Sequence, residues 1–479
     1  MNSKKIAVLL LVFMLGLSFV SCVVSDQRTV DKKSGESTTD ESQSASIDKV
    51  TQPEEQIIPE IRVANITGVN QGIKMDIINR FMEDQSEYKI VDAGKINFDD
   101  TAFVLSLIAS GDVPDVVYSG DIKTYCWLSV HSCLEDWSKV IEKYPGIYKP
   151  EEWNADILKS SNMNGVQAAL FPSNSAEIVI YYRKDKWEEA GIDPEKTPVN
   201  FSETIDMCKK LVKFDSKGKA IQAGLINDND IWQWMWACGV EFLSRDMRTA
   251  NLDNDIMKAI YEFFIELEKA YGGNDNWSPD IPQKFVDGTV TMILNGDVFY
   301  GGVMNEKEAQ EGVKWGVFPV PRPDFMASDS KGGGRYINYP MILKGAKNIR
   351  GALVFSLWGA SKGVEYNEKA RFDTNPINYF PRFCHNKAAN EYLIKELTVN
   401  FGESATKALP IVLENKKRFI ISGIREPDFN SWKDNVWPII FTDIPQKKVS
   451  ISEGLANAQK IAQQQLDTWW KTYDAAFKK

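Results

Sequence analysis

The chain is 479 residues long, 43% hydrophobic and 25% charged, the make-up of an ordinary soluble protein with material for two or more lobes. A net charge of -10 with no long basic run argues against nucleic acid as a partner, and two histidines, His131 and His385, leave little for a histidine-dependent triad or a His-rich metal site. The 14 tryptophans and 16 tyrosines are more than a core alone asks for.

The first residues read as an export signal. "MNSKK" is the positive region, and "IAVLLLVFMLGLSFV" is an apolar stretch too short for a confident membrane span. "FVSC", residues 19–22, resembles the lipobox of bacterial lipoproteins, in which the cysteine is lipidated and becomes the new N-terminus. Phe19 stands where leucine is usual, and the competing reading is a plain signal peptide with an incidental cysteine. Cys22 is thus the expected palmitate-type anchor, holding the protein on the extracellular face of the cell membrane. Residues 23–56 are rich in Ser, Thr, Asp, Glu and Gln and cannot bury enough surface to fold. As a flexible tether they span about 30 to 35 Å.

The folded part opens with "EIRVANI", an alternating strand, then a helical pattern through "KMDIINRFMED" and a second strand around "YKIVDA". In "DDTAFVLSLIASGDVPDVVYSGD", Phe103, Val104, Leu107 and Ile108 form a helical stripe. Gly111 suits the position just past the helix, and Pro114 blocks continuation before the strand "DVVY". Alternating helix and strand predicts a mainly parallel α/β sheet, with ligands beyond the carboxyl ends of strands, where Ser119, Gly120 and Asp121 fall. "CWLSVHSC" lacks paired metal-ligand spacing, so Cys126 and Cys133 read as a buried or bridged pair, and five cysteines after Cys22 leave at least one unpaired.

Next comes the strand "EIVIYY", with Asp185 as expected helix cap and Glu188 completing a capping box before Gly191 and Pro194. A second box follows at Asn200 and Glu203. "NDNDIWQWMWACGVEF" predicts a helix capped by Asp228 or Asp230, with Trp232 and Trp236 on one face and Trp234 on another. Sugars present apolar C–H faces to rings and hydroxyl rims to carboxylates, amides and guanidinium groups, so tryptophans among acidic and amide neighbours suit a carbohydrate. The competing reading is that these rings are core.

"YYRKDKWEEAGIDPEKTPVNFSE" resembles a segment of the family 1 extracellular solute-binding proteins of ABC importers, and "LIASGDVPDVV", "FVDGTVTMILNGD", "WGVFPVPRP", "GGGRYINYPMILKGAKN" and "GALVFSLWGA" follow the family in order. Asn200 and Phe201 replace the usual Thr and Trp while keeping a cap and an apolar residue. The resemblance implies an α/β, two-lobed periplasmic-binding-protein-like fold of the class II type, with hinge strands and an inter-lobe cleft. Its divisions are a signal peptide at 1–21, lipidated cysteine and tether at 22–56, lobe 1 at 57–173, lobe 2 at 174–313, a return to lobe 1 at 314–362, and mainly lobe 2 with C-terminal helices at 363–479. It further implies that Trp232 falls at a stacking tryptophan of the maltodextrin-binding members, and that Trp432 and Trp437 occupy a C-terminal aromatic position. Asn174, Glu177, Tyr300, Arg335 and Tyr336 lie near expected cleft edges. The segment 372–390 matches least and reads as an insertion or a ligand-facing loop.

The expected function is capture of a carbohydrate, an oligosaccharide by preference, and its delivery to membrane permease subunits by a monomer without cofactor or metal. Polyamine, peptide or phosphodiester ligands are the alternatives, because the fold does not decide the ligand. A secreted glycosidase would also be acidic and tryptophan-rich, but needs two carboxylates about 5 to 10 Å apart, and none here sits in a recognisable catalytic motif. A surface interaction lipoprotein with a degenerate cleft is the third class.

Overall fold

A computed structural model describes residues 59–66, 71–120, 122–172, 174–176, 178–226, 231–272, 280–295, 299–333, 335–420 and 431–477. The expected signal, Cys22, the tether, Asp121, Glu177, Asp228 and Asp230 lie outside the described residues.

The first sheet begins with β1 (Glu60–Ala64), followed by α1 (Gln71–Asp84), β2 (Lys89–Asp92), α2 (Thr101–Ser110), β3 (Val116–Gly120) and α3 (Ile122–Val130). β1 pairs in parallel with β2 on one side and β3 on the other, the arrangement expected of strands joined by helical crossovers. Ile61, Val63, Val116 and Val117 are fully buried, as strands covered on both faces must be. α2 is capped by the Asp100 carboxylate, which accepts from the Phe103 N–H at 3.0 Å. It ends at Gly111 with φ 70°, whose N–H returns to the Ile108 carbonyl, as the sequence predicts.

The chain then crosses over. β4 (Asn174–Ala176) is the last strand of the first sheet, and β5 (Val179–Arg183), starting three residues later, lies in the second. α4 (Phe201–Leu211), β6 (Lys213–Phe214), β7 (Ala220–Leu225), α5 (Ile231–Ala237), α6 (Asp255–Tyr271), β8 (Val290–Asn295), α7 (Phe299–Glu311) and β9 (Trp315–Pro319) follow. The second sheet has the order β9-β5-β8-β7-β6. β5 alternates cleanly: Val179 and Tyr181 enter a smaller core, Ile180 and Tyr182 the larger one.

Two local expectations need correction. Residues 315–319 do not return to the first sheet; β9 pairs residue for residue with β5, from Trp315 opposite Arg183 to Pro319 opposite Val179, because fully buried Trp315 belongs to the second sheet's core. The return comes with β10 (Arg335–Met341), which inserts antiparallel between β3 and β4. Asp185 is not a cap either. It sits inside the helix Lys184–Glu189, and its carboxylate accepts from the Arg183 Nε and Nη2 at 2.8 and 2.7 Å, giving that buried guanidinium its counter-charge. Asn200 does cap α4, accepting from the Glu203 N–H at 2.9 Å, while the Glu203 carboxylate reaches back to the Val199 N–H.

α8 (Ile349–Gly359) is held by the buried Asp115 carboxylate, which accepts from the N–H groups of Arg62, Lys347 and Asn348 at 2.8, 2.9 and 2.7 Å, tying β1 to a helix N-terminus. Beyond it lie α9 (Lys362–Thr374) and α10 (Glu403–Lys416). The segment 372–390, expected as an insertion or ligand-facing loop, is core at its centre: Tyr379, Phe380, Phe383 and Cys384 are buried. α7 approaches it closely, since a Cβ on Gly301 would stand 2.6 Å from the Phe380 ring.

The chain ends in α11 (Ile451–Phe477). Over residues 455–466 it buries Leu455, Ala458, Ala462 and Leu466. Its last turns fasten to both sides of the molecule. The Trp470 Nε1 donates to the Met247 carbonyl at 2.8 Å, and Arg248 forks onto Asp474 at 3.1 and 3.0 Å. Tyr473 donates to the Val130 carbonyl at 2.6 Å, at the end of α3. A helix rooted beside the second sheet thus clasps the first.

Candidate functional site

The crossing strands fix where a site can form: β3 ends at Gly120 beside β10, and β7 leads into α5 within a few residues. α5 separates its three tryptophans as its period dictates. Trp234 turns inward, 2% exposed, among Phe201, Phe263 and Phe264. Trp232 and Trp236 stay half-buried, ring centroids 5.7 Å apart.

On that face the structure gathers rings from distant parts of the chain. Trp232 stacks on Phe441 at 4.0 Å and 21°, lies 5.4 Å from Trp437 and meets Phe242 edge-on. Trp432 packs behind Trp437 at 5.2 Å. Of the sequence-predicted residues, Trp232, Trp236, Trp432 and Trp437 therefore come together. Their exposures differ: Trp432 is fully buried and Trp437 nearly so, while Trp232, Trp236 and Phe441 keep open surface. In this conformation the first pair backs the cluster and the other three present its face. Such a face offers stacking surface to an apolar ring side of a ligand.

Tyr300 is elsewhere, buried between Tyr181 and Phe285 in the smaller core. Arg335 pairs through its backbone with Ala176, and Asn174 with Asn338, at the crossing itself. Asp121 and Glu177 lie outside the described residues.

Two features escaped the sequence reading. Phe441 was legible, four residues after Trp437 on a helical run. Arg245 carried no signal. It pairs with Glu241, donates to the Ser160 carbonyl, and with Asp156, Lys159, Asn162 and Lys331 lines a polar pocket. Hydrogen bonding and charge from Lys331, then Lys159, hold the Asp156 carboxyl below its usual range. Burial pushes Glu241 up, against the pull of Arg245.

The thiols are poor nucleophiles. Cys126 and Cys133 are unbridged, and all five described cysteines are buried. Desolvation pushes Cys133, Cys238 and Cys384 up to about 11 and Cys208 to about 12. Among the described residues no group of three His, Cys, Asp or Glu side chains is placed to hold a metal, and no helix is long and apolar enough to cross a membrane.

The family model of the bacterial extracellular solute-binding proteins matches residues 73–366. The sn-glycerol-3-phosphate-binding periplasmic protein UgpB of Brucella abortus is 26% identical over 147 residues, 30% of this chain and 34% of that protein, so the match spans about a third of the relative's length. Among solved structures, the sugar-binding protein MalE from Xanthomonas citri superimposes with a TM-score of 0.64 at 14% identity, covering 87% of this chain and 99% of that one. An ABC substrate-binding protein from Listeria monocytogenes, in complex with cycloalternan, gives 0.57 at 17% identity over 85% and 99%. What these structures share with the chain is the fold.

Proposed function

We propose, from the premise that this chain belongs to the bacterial extracellular solute-binding proteins, that it captures a carbohydrate for an ABC importer and hands it to membrane permease subunits. The observation that carries the ligand class is the convergence of Trp232, Trp236 and Phe441, with Trp437 behind them, into one partly open aromatic face on the helix that follows β7. Rings stack on sugar faces, and several rings favour an oligosaccharide over a single hexose. The structural neighbours named for sugars support the same reading. The protein binds without cleaving: its function rests on shape and stacking, and an oligosaccharide incubated with it should return unchanged in mass.

A second reading has its own observation. Lys159, Arg245 and Lys331 converge on one pocket, which suits a phosphorylated polyol such as the ligand named for the Brucella relative. A thermal-shift panel of mono- and oligosaccharides beside sn-glycerol 3-phosphate separates the two. Stabilisation by sugar that Trp232→Ala abolishes supports the first; stabilisation by the phosphate alone, lost in Arg245→Ala, replaces it.

Ligand would shut the two sheets together about the 174–183 crossing and β10, and small-angle scattering should then record a smaller radius of gyration; an unchanged profile at saturation means a rigid pocket. Lipidation at Cys22 would keep the body at the membrane on its tether. Cys22→Ala should release it to the medium, and a variant still bound to membranes removes the lipoprotein reading.

A further inference from the structure

A second surface carries sugar chemistry that the Trp232 face does not use. The helical run of residues 431–443 turns Trp432 and Trp437 inward, and its outer side faces α11 across an open groove of about 870 Å³. Along α11, the lining positions 461, 464, 465, 468, 469 and 472 repeat at helical spacing, so one continuous helix face forms that wall. Asp434 and Asn435 project from the opposite wall.

The lining has a definite chemical character. It holds no lysine or arginine, but two carboxylates, Asp434 and Asp443, three amides, three hydroxyls and one indole. The indole, Trp469, is half-buried and lies parallel to Tyr473 at 5.0 Å and 16°, which stiffens it as a platform. The Gln465 side chain lies on the same wall, next to exposed Gln464. An anion would meet two carboxylates with no cation in the lining itself, Lys448 being engaged by Asp443 at 3.4 Å, and a bare cation has no use for the amides or the ring. A pyranose uses all of them: its C–H face on Trp469, and its hydroxyls between amide and carboxylate partners.

We infer that the groove between residues 431–443 and α11 is a second saccharide site, holding a neutral oligosaccharide segment on Trp469. It shares with the proposed function only the class of ligand, and its residues are not those of the Trp232 face. Occupation would place a chain segment across the helix whose last turns clasp the first sheet.

The test is isothermal titration of the full chain with a series of neutral oligosaccharides, on the wild type, Trp232→Ala, Trp469→Ala and the double variant Asn435→Ala/Gln464→Ala. The last pair is solvent-exposed, so it reports on the groove even if Trp469→Ala disturbs the clasp. Two saccharides per chain are expected. Both groove changes should weaken one of them by roughly tenfold or more, the loss of a stacking platform or its polar partners, and leave the other intact. Trp232→Ala should do the reverse. A single saccharide per chain that both groove variants leave untouched overturns the inference and spares the proposed function. Binding that survives Trp232→Ala and disappears in both groove variants, with one saccharide per chain in the wild type, overturns the proposed site and sustains the groove. No saccharide binding by the wild type overturns both.

Discussion

Two aromatic clusters in this molecule, one around Trp315 and one around Trp232, differ in cover. Around Trp315, Tyr181 lies 6.1 Å away and near parallel, Phe380 meets it at 66°, and Phe401 stacks on Phe380; Tyr181, Trp315 and Phe380 are at most 2% exposed. α10 and the 378–385 segment close over these rings. Around Trp232, the rings are backed by Trp437 and Trp432, but nothing among the described residues seals Trp232 or Trp236. The difference lies in whether a further layer of chain reaches the cluster. Aromatic density in a sequence therefore reports a hydrophobic assembly, and only its cover distinguishes a core from a binding face.

The sharpest way to break this comparison is to truncate one ring in each cluster. Trp315→Ala should cost about 3–5 kcal/mol in chemical denaturation, the penalty for emptying a sealed site, and should leave the ligand affinity of the folded fraction alone. Trp232→Ala should weaken saccharide binding by about 1–3 kcal/mol and cost less stability than Trp315→Ala, because its ring is already partly in water. Equal stability losses from the two would erase the distinction drawn here.

Acid should probe the same contrast through the histidines. His385, packed near the sealed cluster, is held well below the usual imidazole range by burial and then by the charge of Lys416. His131, under the clasp, is lowered by burial against a hydrogen bond to the Trp127 carbonyl. In both cases the unfolded chain takes up a proton near pH 6.5 that the folded chain refuses, so stability is complete above that pH and falls as pH drops below it. Between pH 7 and pH 5 stability should therefore fall, with His385 contributing to the loss. His385→Gln should flatten the denaturation profile over that range more than His131→Gln does. The smallest effect belongs to the clasp: Tyr473→Phe removes one hydrogen bond to Val130 and should cost about 1 kcal/mol. A larger loss would mean that the clasp carries packing across the two sheets.

Much of the local structure was legible. The helix over 101–110, the stop at Gly111, the cap at Asn200 and the opposite facing of Trp234 against Trp232 all follow from short-range spacing, although of the expected stripe only Val104 is fully buried and Phe103 turns to solvent, 47% exposed. What was not legible depends on distant partners. β9 reads equally well as a strand of either sheet until its pairing with β5 is known, and Asp185 reads as a cap until buried Arg183 claims it. The 372–390 segment carries Asn, Pro and Arg like a surface loop, yet α7 and α10 draw its aromatic middle inside. For the candidate site, the helix bearing Trp232 was visible, but its meeting with Trp437 and Phe441 joins segments some 200 residues apart, and no periodicity records such a contact.

The place of β10 bears on how the molecule comes into being. This strand sits between β3 and β4, yet it emerges from synthesis roughly 220 residues after β3. At about 5–20 residues per second, β3 waits on the order of 10–45 s with its pairing edge open. The first sheet to be started is thus among the last to be finished. Until β10 arrives, the edge of β3 that it will cover stays open to other partners.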